Sequence, residues 1–126
     1  MPRSVIHTPE APEAIGPYSQ AIKAGGLVFC SGQVSLDPES GELVEGSVGD
    51  ETRRSLQNLS AVLKAAGSDL TKVVKVTAYL TDMGTFAEFN EVYREFFSGE
   101  PPARVTVGVS GLPKGARVEV ECLALE

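Results

Sequence analysis

Apolar residues along this chain follow a period of two in some stretches and of three to four in others, and each change of period marks an element. Leu56, Leu59, Leu63 and Ala66 recur at spacings of three and four. That places them on one face of a helix over Val48–Ala66, with Arg53, Arg54, Gln57 and Lys64 elsewhere on the wheel and Gly67 as the stop. Phe86, Phe89, Tyr93 and Phe96 have the same spacing and predict a second helix over Thr85–Phe97, ended by Gly99, Pro101 and Pro102. An aromatic stripe of this kind reads as core. Between the helices, Val73–Thr81 predicts a strand with Val74, Val76, Ala78 and Leu80 on one face and Val73, Lys75, Thr77 and Tyr79 on the other. Arg104–Val109 alternates with Val105, Val107 and Val109 on its expected core face. Arg117–Leu125 alternates with Val118, Val120, Cys122 and Ala124 on one face. Towards the start, Ser4–Thr8 reads as a short edge strand. Tyr18–Ala24 and Leu27–Ser31 flank Gly25-Gly26 and read as a hairpin. Pro38 and Gly41 punctuate a turn over Asp37–Gly41.

The order is hairpin, helix, strand, helix, strand, strand. Strand–helix–strand steps with crossovers of one hand put both helices on the same side of a sheet. The expected fold is therefore α+β, two-layer, a mixed β-sheet with two helices packed on one face. The other face has no cover within the chain. It is expected to carry Arg117, Glu119, Glu121, Leu123 and Leu125 from the last strand and Val73, Thr77 and Tyr79 from the middle one. A semi-apolar face left open on so small a chain predicts self-association.

Composition narrows the function. At 126 residues, with 42% hydrophobic and 22% charged residues, the chain is expected to be a single domain over residues 1–126. A two-domain dinucleotide enzyme does not fit. The one His and two Cys lie far apart, without metal-ligand spacing, so no metal site is expected. A net charge of -6 suits no general nucleic-acid partner, because affinity there comes from Lys and Arg neutralising phosphates. A His general base would have to be His7, near the terminus. The segment over residues 1–16 contains Pro2, Pro9 and Pro12 and no apolar run, and no stretch reaches the roughly 18 apolar residues of a membrane helix. Cys30 and Cys122 sit in apolar strand-like runs and are expected to be buried reduced thiols. A cytoplasmic protein without membrane attachment is the expectation.

Arg104 is the first candidate for chemistry. It follows Pro101-Pro102-Ala103, so stiff backbone leads into it, and a planar guanidinium so held suits bidentate recognition of a carboxylate. It is expected on the non-core parity of its strand. On spacing alone it reads more readily as a surface arginine paired with Glu119 or Glu121. Glu119 also has non-core parity. If the last two strands pair through the loop over residues 110–115, it approaches Arg104 on a shared sheet face. It is then either a paired strand carboxylate or one that orients a water and shuttles a proton. Gly16-Pro17-Tyr18-Ser19-Gln20 and Ser31-Gly32-Gln33 make tight turns that line a pocket or simply close hairpins. Asn90 lies at the margin of the aromatic stripe, facing either a pocket or solvent.

Taken together these residues resemble the Rid family of reactive-intermediate deaminases, also called the YjgF family. The resemblance covers nearly the whole chain. It rests on Ile15-Gly16-Pro17-Tyr18-Ser19-Gln20-Ala21, Ser31-Gly32-Gln33, Asn58-Leu59 and Ala65-Ala66-Gly67. Phe89-Asn90 with Tyr93 and Phe96-Phe97 continues it. Pro102-Ala103-Arg104 and Leu112-Pro113-Lys114-Gly115 leading into Val118-Glu119-Val120-Glu121 complete it. Similarity to this family implies a chorismate-mutase-like fold and a homotrimer with a central barrel and a ligand cleft at each subunit interface. It implies that Arg104 clamps the substrate carboxylate and that Glu119 holds a water. Tyr18, Ser31, Gly32 and Asn90 fall on its pocket positions, and a backbone carbonyl near Thr106 joins Glu119 at the water. Several members have Cys where this chain has Thr106. If the side chain there matters, substrate range shifts. Val120 stands where Ile or Met is common, a conservative packing change. The implied reaction is hydrolysis of 2-imino acids, formed from 2-aminoacrylate or 2-aminocrotonate, to 2-oxo acids and ammonia, with no cofactor. A non-catalytic trimer that binds small carboxylates is the alternative, and a translation-inhibiting ribonuclease a more distant one.

Overall fold

The computed structural model describes residues 2–126, so Met1 of the expected domain lies outside the described residues. The strands are β1 (Ser4–Ile6), β2 (Ala21–Ala24), β3 (Leu27–Val34), β4 (Val73–Leu80), β5 (Ala103–Gly108) and β6 (Val118–Leu125). The helices are α1 (Val48–Ala65) and α2 (Phe86–Phe96). Both helices lie within a residue of where the apolar periods place them, while β2 starts three residues later and β3 runs three residues further than expected. Ser47 starts α1 with a capping box: its hydroxyl accepts from the Asp50 amide, and the Asp50 carboxylate accepts from the Ser47 amide. Such a cap satisfies two helix-end donors at once. At the hairpin, Gly25 and Gly26 have φ of 60° and 81°. Both are left-handed, as the tightest two-residue turn between twisted strands requires.

The strands form one sheet in the order β1-β2-β3-β6-β4-β5. β4 and β5 run parallel, joined through α2, and the other neighbours are antiparallel. This is the mixed sheet expected. Both helices cover one face. Leu56, Leu59, Val62 and Leu63 of α1 and Phe89 and Tyr93 of α2 bury against Val28, Val76, Ala78, Val118 and Val120 of the sheet. Cys30 and Cys122 face each other across β3 and β6 as buried free thiols. Among the described residues no helix is long and apolar enough to cross a membrane.

Three expectations change. First, β5 pairs with β4, not with β6. Second, its faces are inverted. The ladder sets Arg104 beside Val76 and Thr106 beside Ala78, so Arg104 and Thr106 share the helix-covered face. Val105 and Val107 lie on the open face, 44% and 37% exposed. The parallel crossover through α2 imposes that register, and the alternation reveals an apolar face without saying which layer covers it. Third, Val73 is buried and Val74 exposed. The β4–β6 pairing slips between Val73 and Lys75, and an extra residue there reverses the side-chain alternation.

Buried polar struts tie the loops to this frame. Glu51 of α1 accepts from the Ser35 hydroxyl, from the Arg117 amide and from Arg117 Nε. The Arg117 guanidinium also donates to the carbonyl of Gly46. Asn58 donates to the carbonyls of Val34 and Leu36. Gln20 is buried against the proline-rich segment. Its Oε1 accepts from the Thr8 amide at 2.7 Å, and its Nε2 donates to the carbonyls of Thr8, Ala11 and Pro12.

Candidate active site

The candidate site residues, Thr106 excepted, line two clefts on opposite faces of the sheet. The first cleft is about 280 Å³ and is lined by Tyr18, Ser31, Gly32 and Glu119, with Ile15 and Pro113 at its margins. Its floor is the irregular part of β3, where pairing with β6 shifts between Cys30 and Gln33. Its wall is the Gly16-Pro17-Tyr18 turn, closed by a bond from the Tyr18 amide to the Gly16 carbonyl at 2.9 Å. The Tyr18 hydroxyl accepts from the Ile15 amide at 3.2 Å. Ser31 joins floor to wall. Its amide donates to the Gln20 carbonyl and its hydroxyl to the Ser19 carbonyl at 2.5 Å. The Ser31 oxygen therefore faces a ligand chiefly as an acceptor.

Glu119 points from β6 onto Gly32. A Cβ at residue 32 would sit 1.8 Å from the Glu119 carboxylate oxygen, so the glycine makes the seat for that carboxylate. Burial pushes the Glu119 carboxyl above its ordinary value, and the nearby Glu121 charge adds to the shift. Glu121 itself takes a hydrogen bond from the Tyr79 hydroxyl. That bond, burial and the two glutamates push Tyr79 up to about 12, so it remains a donor throughout the neutral range.

The second cleft is about 440 Å³ and is lined by Asn90, Tyr93, Arg94, Phe97, Pro101, Pro102 and Arg104. Here the aromatic stripe of α2 is more than core. The Arg104 guanidinium lies 4.6 Å from the ring centre of Tyr93 and 5.5 Å from those of Phe86 and Phe89. Ring faces attract a cation without neutralising it. Among the described residues Arg104 makes no ion pair. The pairing of Arg104 with Glu119 or Glu121 considered from spacing does not form, because the three residues do not share a face. Asn90 lines this cleft together with Arg104. Thr106 follows two residues along the same face, and its hydroxyl is buried without a partner. His7 is taken up by Glu13 at 2.9 Å on the exposed surface and lines neither cleft.

Sequence reasoning passed over Gln20 as a strut and Tyr93 as a neighbour of Arg104. The signal for the first was available. A proline-rich segment has carbonyls to satisfy and few amides of its own, which calls for a buried amide side chain nearby.

Residues 8–126 match the family described as Endoribonuclease L-PSP. The chain belongs to this family, the YjgF/Rid family. A RutC family protein of Pyrococcus horikoshii is 53% identical over 97% of each chain. The 2-iminobutanoate/2-iminopropanoate deaminase of Mus musculus is 50% identical over 98% of this chain and 92% of its own length. A crystal structure of a Rid family protein of unknown function from Yersinia pestis superposes with a TM-score of 0.96 at 46% identity, covering 99% of this chain and all of that one. Over that span the Rid fold and the fold described above are the same.

Proposed function

We propose that this protein hydrolyses 2-imino acids, 2-iminopropanoate and 2-iminobutanoate among them, to the 2-oxo acid and ammonia. One observation carries this reading: a guanidinium held on three aromatic rings, open to a cleft and without a counter-ion among the described residues. Such a group is prepared for a small carboxylate. The mouse relative, named for the same substrates at 50% identity, supports it.

The enamine released by a dehydratase tautomerises to the imine, R–C(=NH)–COO⁻. Arg104 binds the carboxylate and fixes the plane of the C=N group, with Asn90 beside it. Glu119, seated on Gly32, orients a water with the carbonyl near Thr106. The water oxygen bonds to the imine carbon, and its proton passes through Glu119 to the nitrogen, giving the carbinolamine. The hydroxyl proton then follows the same route to the amine, the C–N bond breaks and ammonia leaves. A carboxyl raised above its usual range suits this relay, since a relay works best with a pKa near the working pH. Orientation supplies the remainder for a substrate that already reacts with water.

In one protomer Arg104 and Glu119 lie on opposite faces, so this centre needs two copies. We assign it to the interfaces of a homotrimer, each cleft joining the Arg104 side of one copy to the Glu119 side of the next. The open, partly apolar sheet face supports that assembly. We place the protein in the cytoplasm, which suits its two buried free thiols. The family's description names an endoribonuclease. A net charge of -6 and a sole histidine held by Glu13 argue against RNA as a substrate.

The test generates 2-aminoacrylate in situ with a serine dehydratase and follows loss of the imine. Wild type is expected to accelerate it, and Arg104→Ala to lose about 10- to 100-fold of that effect, as for charge-assisted hydrogen bonds to a carboxylate. No acceleration by wild type overturns the deaminase reading and leaves a carboxylate-binding trimer. Equal rates for the two proteins overturn the role of Arg104.

A further inference from the structure

Tyr93 is buried, 6% exposed, in a stack with Phe89 and Phe97 at ring separations of 5.5 and 4.6 Å. Packing alone would favour phenylalanine there, because the Tyr93 hydroxyl is enclosed and, among the described residues, makes no well-formed hydrogen bond, although the Arg104 guanidinium approaches it. Buried polar groups normally find one. The charged group beside it is Arg104, whose guanidinium stands nearest to the Tyr93 ring of the three it overlies.

We propose that Tyr93 is the positioning residue of Arg104. Its ring sets the plane of the guanidinium, and its hydroxyl stands ready to accept one N–H when the fork turns its other donors onto a ligand's carboxylate. The proposal rests on Arg104 as the carboxylate clamp of the deaminase. It accounts for two otherwise unexplained features, a tyrosine in an aromatic stack and a guanidinium without an anion among the described residues. Burial pushes the Tyr93 hydroxyl up, opposed only in part by the Arg104 charge and by the approach of the guanidinium as a hydrogen-bond donor, so Tyr93 stays neutral and does not compete with the ligand as an anion. The guanidinium has five donors and a carboxylate takes two, which leaves donors for the hydroxyl. Phe86 and Phe89 offer ring faces alone.

The test is a kinetic cycle on 2-iminopropanoate generated in situ, with Tyr93→Phe, Tyr93→Leu, Arg104→Ala and the double variant Tyr93→Leu/Arg104→Ala. Tyr93→Phe removes one enclosed oxygen and is expected to melt no lower than wild type. It should raise KM about 3- to 10-fold with kcat nearly unchanged, the pattern of lost uniform binding. Tyr93→Leu should lower kcat/KM further, yet change it less than about twofold when Arg104 is already alanine, since residues acting through one another are not additive. An equal loss from Tyr93→Leu in both backgrounds overturns the proposal, as does an unchanged KM in Tyr93→Phe, which needs only that conservative variant to fold. If Arg104→Ala matches wild type, the clamp reading itself fails and this proposal with it. The single-variant arm therefore separates the two failures.

Discussion

Glu119 carries a conflict that its neighbours explain. A carboxylate on a strand facing solvent would ionise freely, but this one is half-buried on Gly32, with Glu121 near enough to repel its charge. Its folded-state pKa is raised, so the folded state binds the proton more tightly than the unfolded chain does. The stability linked to that proton is present below the unfolded value of about 4.3 and is lost as pH rises through the folded value. Replacing the carboxyl with an amide removes the ionised, poorly solvated form. Glu119→Gln is therefore expected to melt higher than wild type at about pH 7.5 and to converge with it near pH 4, where both carry a neutral group. Thermal melts at the two pH values check this, and a variant less stable than wild type at the higher pH refutes it. The same substitution should remove most deaminase activity. Stability and catalysis then move in opposite directions at one residue, as expected where a strained group serves the reaction.

At the level of elements, the chain's periods located both helices and the central strands, because burial on one side leaves a period of 3.6 or 2. What they left open depends on neighbours distant in sequence. Val105 and Val107 mark an apolar face of β5, but only the register with β4 shows that this face is uncovered and that Arg104 lies under α2. The slip at Val74 and the irregularity at Ser31-Gly32 are likewise invisible to periodicity, being choices of pairing. The candidate residues are legible one by one, through stiff prolines, turn glycines and, for Glu119, strand parity, which gives the wrong face for Arg104. Their division between two faces is not, because strand order decides it. The struts are the other hidden layer. Glu51 joins α1 to the start of β6 and to Ser35 through three hydrogen bonds, and it is 2% exposed. Glu51→Ala leaves a buried hydroxyl and an amide without their acceptor and frees Arg117. It should lower unfolding free energy by about 2–3 kcal/mol, less than a fully buried pair because Arg117 is partly solvated. Urea denaturation measures this, and a loss below about 0.5 kcal/mol, typical of neutral surface changes, shows that the strut does not matter.

The whole molecule presents a sheet with one face covered by its own helices and the other carrying Phe29, Val105, Val107 and Leu125 at 37–50% exposure. Rows of side chains cross that open face. One runs from Val34 through Glu119 and Tyr79 to Val107, so the carboxylate of the proposed centre stands within the surface a neighbouring copy would cover. Covering it excludes water from the cleft and strengthens every charge interaction inside. Arg104 lies on the other side of the same sheet, so in the proposed trimer it serves a different cleft from its own Glu119. The proposed trimer closes when each copy lends its arginine forward and its carboxylate backward. That division is testable without any new contact. Arg104→Ala and Glu119→Gln, each alone, should form trimers of low activity, because every cleft lacks one partner. Unfolded together in equal amounts and refolded, they should assemble at random. A cleft is intact when its arginine comes from the Glu119→Gln chain and its glutamate from the Arg104→Ala chain, which is about one cleft in four for random mixing in a cyclic trimer. Activity should recover to about a quarter of wild type, with light scattering giving the mass of three chains. Recovery no greater than the average of the two separate variants, at that same mass, means that each site takes both residues from one chain, and the division of the centre between copies is then wrong.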